Sequence, residues 1–142
     1  MKKYDVLKVY CDGGSRGNPG PAASGVVFTT DDDQIIEQFG KYWGVTTNNQ
    51  AEYRAVDIAL DRLIDYEVRQ VLFYLDSELV VKQLNGEYRV KNPDLKPIYE
   101  SIKAKVTGKD ITFTHVYREH NKLADAQVNL CLDEHTKNMD KN

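Results

Sequence analysis

The amino-acid sequence predicts an α/β fold built on a five-stranded mixed sheet, with helices on both faces of the sheet. Apolar, β-branched runs predict strands, and longer segments with apolar residues at helical spacing predict helices. The two kinds of segment follow one another in the order β-β-β-α-β-α-α-β-α. Short gaps suit antiparallel hairpins, whereas helical crossovers lead to parallel strands. The sheet is therefore expected to combine an antiparallel meander with parallel strands.

The strands are predicted from composition and from the turn residues that bound them. A glycine-rich segment, 12–21, separates the first two strands, and three aspartates at 31–33 separate the second from the third. The run VLFYL at 71–75 is apolar throughout, as expected for a strand buried on both faces. The predicted strands are 6–11, 22–30, 34–43, 71–75 and 111–117.

The helices are predicted from apolar stripes and end signals. Thr47 and Gln50 have the spacing of a capping box, and an apolar stripe follows them at helical period. The predicted helices are 47–66, 77–84, 94–106 and 121–132. Residues 134–142 are polar, and we expect them to form a disordered tail after a single domain at 1–133.

Length and composition exclude several classes of protein. The chain has 142 residues, of which 41% are hydrophobic and 29% charged, as in an ordinary globular domain. No run approaches the ~18 apolar residues of a membrane helix, so we expect no membrane partner. Cys11 and Cys131 form no CxxC pair and are expected to be buried thiols in a reducing cytoplasm. A net charge of −3 argues against binding nucleic acid by bulk positive charge alone.

Four acidic residues stand at positions where a charge needs a partner. Asp12 and Asp76 follow predicted central strands, at the edge where open α/β sheets bind ligands. Glu52 and Asp125 lie on the apolar faces of two helices, where an unpaired acid is costly. Each has a simpler explanation as a helix cap, a dipole partner or a turn residue. Together they favour a divalent metal site.

Two further features remain open from the residues alone. The glycine-rich segment after Asp12 fits neither a Walker loop nor a dinucleotide fingerprint. It is either a hairpin loop or a place where the backbone approaches a phosphodiester. His120 lies in a polar loop before Asp125, and is either an exposed loop residue or a mobile proton carrier near the site.

Four motifs resemble type 1 ribonuclease H over about residues 4–133. They are YCDGGSRGNPG at 10–20, TTNNQAE at 46–52, LDS at 75–77 and NKLAD at 121–125. The resemblance implies a ribonuclease H-like fold and an endonuclease that hydrolyses the RNA strand of RNA/DNA hybrids, leaving 5′-phosphate and 3′-hydroxyl ends. It further implies two Mg²⁺ ions, with Mn²⁺ possible, no small-molecule cofactor and a monomer.

The resemblance also implies roles for individual residues. Catalysis and metal binding are carried over to Asp12, Glu52, Asp76 and Asp125, with Asp12 bridging both ions. His120 is the candidate mobile proton carrier. The residues implied in substrate binding are Gly13, Gly14, Ser15, Asn18, Thr47, Asn48 and Asn49.

The chain departs from the family pattern at three places. Glu78 stands where many members have Gln, and the loop before Asp125 is compressed. Only residues 86–93 occupy the place of a basic insertion, so we expect weak, salt-sensitive binding that depends on Lys82, Arg89 and Lys91. The alternatives are a catalytically weak hybrid-binding module, or a relaxed-specificity nuclease that also cuts double-stranded RNA.

Overall fold

Five strands form one sheet in the computed structural model, which describes residues 2–140 and the side chains of residues 2–138. The order across the sheet is β3-β2-β1-β4-β5. β1 pairs antiparallel with β2, and β2 pairs antiparallel with β3. β1 and β5 both pair parallel with β4. The strands are β1 Lys2–Ser15, β2 Gly20–Thr30, β3 Ile35–Thr46, β4 Tyr66–Leu75 and β5 Ile111–His115.

Four helices cover the two faces of the sheet. They are α1 Asn48–Arg62, α2 Glu78–Leu84, α3 Lys96–Val106 and α4 Lys122–Asp140. The first three pack with one face of β1, β2 and β4 in a large apolar core that includes Val9, Tyr53 and Phe73. α4 packs on the opposite face in a smaller cluster with Val128 and Leu132. This two-sided arrangement and the mixture of antiparallel and parallel pairings are those that the sequence predicts.

The structure corrects the predicted ends of several elements. β1 continues through the glycine-rich segment to Ser15, because residues 12–15 still pair with β2. α1 ends at Arg62 rather than at Tyr66, since a 3-10 turn intervenes and Tyr66 already opens β4. β5 ends at His115 rather than at 117.

The largest difference concerns the residues expected to form a disordered tail. α4 runs to Asp140 instead of stopping at 132, so residues 134–140 are helical. Tertiary contacts hold this extension: the ring of His135 stacks on Tyr42 with 3.9 Å between centroids. Asp133, just before it, accepts an ion-pair hydrogen bond of 2.6 Å from Arg16. Polar composition alone is therefore a poor guide where a helix docks on a sheet. Residues 141–142 lie outside the described part.

Within residues 2–140, no helix has the length and apolar character that crossing a membrane requires. Cys11 is buried and Cys131 half-buried, and both are free thiols.

Candidate active site

The site begins where two central strands separate. The parallel pairing of β1 with β4 ends at Cys11 and Leu75. Asp12 and Asp76 are the residues that follow this pairing in the chain, so their carboxylates emerge side by side at the carboxyl edge of the sheet. Asp12 stays in the sheet through β2, where it lies opposite Gly25. The backbone ladder thus fixes one carboxylate, while Asp76 stands at the start of a connection.

Glu52 joins them because α1 lies very close to β1. At Gly13 an added Cβ would overlap the backbone of Ala51 and Glu52. From the neighbouring strand, the buried hydroxyl of Ser24 donates a 2.5 Å hydrogen bond to the Ala51 carbonyl. The absence of a side chain at Gly13 therefore lets the first turns of α1 reach the edge of the sheet.

Three carboxylates converge there. One oxygen from each of Asp12, Glu52 and Asp76 lies within 4.8 Å of the others. They line a cavity of about 470 Å³, and Asp125 lines the same cavity from α4. The four acids predicted from the sequence thus occur together, with Asp125 outside the tightest group of three.

Asparagine side chains contact Asp125 and Asp76 and hold them in place. The Asn129 amide donates to Asp125 Oδ2 over 3.3 Å, one helical turn away on α4. The buried Asn121 amide donates to the Cys11 carbonyl at 2.9 Å and lies 3.4 Å from Asp76 Oδ2. Asn121 thereby connects the ends of β1 and β4 to the start of α4.

The electrostatics of the cavity are those of crowded anions. Burial, and then the charges of the three neighbouring acids, raise the pKa of Asp12 to about 8. Burial also raises the pKa of Glu52 to about 7, although a hydrogen bond from Ser77 and the charge of Arg118 act to lower it. Both groups hold protons well above the usual range of carboxylic acids, first because they are buried and then because neighbouring carboxylates add negative charge.

The donor set fits a divalent cation. Carboxylate oxygens are the ligands preferred by Mg²⁺ and Mn²⁺. Glu52 Oε2 is buried and has no hydrogen-bond partner among the described residues, so it is an unsatisfied acceptor. A cation would satisfy this oxygen and balance the negative charge of the cluster, which adds to the effect of burial on the two pKa values.

The residues expected to bind substrate surround this cavity unevenly. Five of them line it: Gly13, Gly14, Ser15, Asn48 and Asn49. Asn48 Oδ1 accepts 2.8 Å and 3.0 Å hydrogen bonds from the backbone N–H and hydroxyl of Ser15, which ties β1 to α1.

The remaining two substrate-binding candidates support the same loops from outside. Asn18 Oδ1 accepts a hydrogen bond from the Asn48 backbone N–H at 3.1 Å. The hydroxyl of Thr47 caps α1 by accepting from Gln50 N–H at 3.2 Å. Neither lines the carboxylate cavity, so in this structure both order the cavity wall rather than form it.

The loop before α4 presents a different side chain from the one expected. His120 is exposed and lines a neighbouring depression, together with Tyr10 and Glu119. Arg118 lines the carboxylate cavity instead and acts on Glu52 through its charge. Sequence reasoning missed Arg118 because no spacing rule predicts which way the 3-10 turn at Arg118–His120 directs its side chains. Its position shortly before a helix that carries an acid would have been the only signal.

The chain matches the family model described as "Reverse transcriptase-like" over residues 10–131. Ribonuclease HI of Halobacterium salinarum is 43% identical over 129 residues, which cover 90% of this chain. The match spans 65% of that relative's own length.

Solved structures give the same result. RNase H1 from the halophilic archaeon Halobacterium salinarum has a TM-score of 0.86 and 42% identity, covering 91% of this chain and 98% of its own. LC11-RNase H1, crystallised in complex with an RNA/DNA hybrid, has a TM-score of 0.87 and 38% identity, covering 92% and 99%. The chain therefore belongs to the reverse transcriptase-like family, among its type 1 ribonucleases H.

Proposed function

We propose that this protein is a metal-dependent endonuclease that hydrolyses the RNA strand of RNA/DNA hybrids and leaves 5′-phosphate and 3′-hydroxyl ends. The observation that carries the proposal is the cluster of Asp12, Glu52 and Asp76, with ligand oxygens within 4.8 Å of one another. Similarity to proteins named ribonuclease HI, and to one crystallised with an RNA/DNA hybrid, supports the choice of substrate.

The carboxylates would hold two Mg²⁺ ions, or Mn²⁺ in their place. Asp12 would bridge both, Glu52 and Asp76 would complete one site, and Asp125 would complete the other. Such ions supply the positive charge that activates a water and stabilises the leaving 3′ oxygen. The unsatisfied Glu52 Oε2 and the raised pKa values of Asp12 and Glu52 support this assignment.

The walls of the cavity would position the scissile strand. Gly14 leaves its backbone open, because an added Cβ would meet only Val128 Cγ1, at 3.6 Å. The Ser15 hydroxyl and the amide of Asn49 are polar groups that can reach a 2′-hydroxyl, which is what distinguishes RNA from DNA. Arg118 would hold the scissile phosphate from the α4 side, since its guanidinium can donate to two phosphate oxygens at once.

His120 would carry protons only if the loop brings it in from the neighbouring depression. We propose further that the protein acts as a monomer, which light scattering of the purified protein would test. We also propose that it needs no small-molecule cofactor, so the purified protein should cut with a divalent metal alone.

The test is cleavage of matched substrates labelled on one strand: RNA/DNA hybrid, double-stranded RNA and double-stranded DNA, each with Mg²⁺, Mn²⁺ or a chelator. We expect metal-dependent cutting of RNA in the hybrid, and a 5′-phosphate that supports ligation of the product. Cutting of double-stranded RNA as well would replace the proposal with a relaxed-specificity nuclease. Binding of the hybrid without cutting by either metal would replace it with a hybrid-binding module.

A further inference from the structure

A tryptophan with two cations lies on the α1 side of the sheet, outside the lining of the carboxylate cavity. The Nζ of Lys41 and the guanidinium carbon of Arg54 each lie 4.8 Å from the centre of the Trp43 ring. We call these three residues the Trp43 cluster. Lys41 and Trp43 belong to β3 and Arg54 to α1, so the cluster spans the edge strand and the helix that carries Glu52.

The backbone sets the direction of this ring. The register of β2 with β3 shifts at a bulge, with Ala22 opposite Gly44 and Ala23 opposite Tyr42, which leaves Trp43 as the extra residue. Gly44 follows with a φ of +83°, a value that favours glycine. A bulge of this kind redirects a side chain and is often found next to active sites.

Hydrogen bonds then fix the Trp43 ring relative to α1, the helix that carries Glu52. The Trp43 indole N–H donates to Ser24 Oγ at 2.7 Å, and that hydroxyl donates to the Ala51 carbonyl. Ala51 directly precedes Glu52, and Arg54 lies two residues after Glu52. From the spacing of strands and the rise per residue, the cluster lies about 10–15 Å from the carboxylates, which is roughly three to four nucleotides along one strand.

The charges of the cluster are available to a ligand. Within the described part of the chain, neither Lys41 nor Arg54 forms an ion pair with a carboxylate. Lys82, by contrast, from which the sequence led us to expect substrate contacts, is 2.9 Å from Glu78 and also lies over the Tyr88 ring. Lys41 and Arg54 therefore place two cations on one fixed ring, and the depression that Lys41 lines also contains Asp61, Arg62 and Asp65.

We infer that the Trp43 cluster binds the phosphodiester backbone of the duplex that occupies the carboxylate cavity, at a distance of several nucleotides from the scissile bond. The inference rests on the proposed function. A fixed aromatic ring with flanking cations suits nucleic-acid phosphates and sugars, as in other nucleic-acid channels.

The experiment measures binding and turnover on one hybrid of about 20 base pairs. The double variant Lys41→Gln/Arg54→Gln should raise KM about 10-fold and leave kcat within twofold, because the cluster does not reach the carboxylates. Binding is measured in the Asp76→Asn background, which we expect to be inactive. In that background, the logarithm of the binding constant is plotted against the logarithm of the salt concentration. For the double variant the slope should become less steep by about 0.9 for each phosphate that it no longer neutralises.

Two matched variants separate direct binding from bulk charge and from folding. Lys2→Gln/Lys109→Gln removes the same charge at the opposite end of the sheet, including a cation 5.4 Å from the Tyr66 ring. It should bind like the parent protein. Lys41→Arg/Arg54→Lys should restore KM.

An unchanged KM and salt slope in the glutamine double variant, or equal losses in the Lys2/Lys109 control, would overturn the inference while the parent still cuts hybrid. A parent protein that neither binds nor cuts hybrid would overturn the proposed function itself, and this inference with it.

Discussion

Asp12 and Glu52 are acids that the fold keeps in a costly environment. Their pKa values of about 8 and about 7 follow mainly from burial, and the charge of Asp76 raises both. Such an arrangement is tolerated where function requires it and stability is supplied elsewhere. A variant that removes a single charge from the cluster therefore shows separately how that charge affects stability and catalysis.

The variant Asp76→Asn removes one anion and preserves shape. We expect cleavage to fall by at least ~10²–10³-fold, and the metal-free protein to be stabilised by about 1 kcal/mol because repulsion within the cluster decreases. Steady-state cleavage and thermal unfolding check both effects. Glu100→Gln on α3 removes an exposed charge and should change neither. A variant that cut at the parent rate, or that unfolded at a lower temperature, would contradict the assignment.

Arg118 and His120 can be compared by their contributions to kcat. Arg118→Ala should lower kcat about 10-fold or more, since Arg118 lines the carboxylate cavity, and His120→Ala should have the smaller effect. Arg118 lowers the pKa of Glu52, so its loss should also move the acid limb of the pH–rate profile to higher pH. Arg118→Lys keeps the charge and should keep that limb in place.

A larger loss with His120→Ala than with Arg118→Ala would show that the loop moves before cleavage. No loss with His120→Ala would make His120 an ordinary exposed loop residue.

At the scale of elements, the site depends on how closely α1 approaches β1. Gly13 and Gly14 are neighbours on β1, but they face opposite sides of the sheet. A Cβ at Gly13 would overlap helix backbone, whereas a Cβ at Gly14 would make an ordinary contact at 3.6 Å. Gly13 is therefore needed for the close packing of α1, whereas a side chain at Gly14 would not disturb that packing, although both lie in one motif.

Gly13→Ala should destabilise the protein by about 3 kcal/mol, because the backbone of α1 must move to admit the methyl group. Gly14→Ala should change stability by less than about 1 kcal/mol. Chemical denaturation of the two variants gives the comparison. A loss of hybrid cleavage in Gly14→Ala without a loss of stability would indicate close approach of substrate to that backbone. Equal stabilities of the two variants would contradict the packing argument.

For the whole molecule, crowded acids make stability depend on pH. Asp12 and Glu52 have ordinary pKa values of 3.8 and 4.5 and folded values of about 8 and about 7, so the folded state holds more protons between these limits. Their contribution to stability is fully present below about pH 4 and is lost as the pH rises through 7 to 8. The unfolding temperature of the metal-free protein should thus fall between pH 5 and pH 8.

Differential scanning calorimetry with and without Mg²⁺ measures this trend. Mg²⁺ should flatten it, and Asp12→Asn should remove most of it. A metal-free protein whose stability rises steadily to pH 8 would contradict the electrostatic description of the cavity.

Sequence reasoning predicted the element order because apolar periodicity reports burial directly. It also predicted that Asp12 and Asp76 would meet, since both follow central strands. It could not predict features set by residues distant in the chain. The helical residues 134–140 depend on Tyr42 and on the docking of α4, and the direction of Trp43 depends on a bulge in strand pairing. The purpose of Gly13 likewise appears only once α1 is in place.

The position of β1 at the centre of the sheet has a consequence for biosynthesis. The antiparallel partner of β1 follows it immediately, so the three-stranded meander can pair once residue 46 has left the ribosome. Its parallel partner β4 and the helix that carries Asp125 emerge much later. At ~5–20 residues per second, α4 is complete roughly 5–20 seconds after the meander. A nascent chain can therefore hold a formed meander for seconds, while the four acids come together only with the last element.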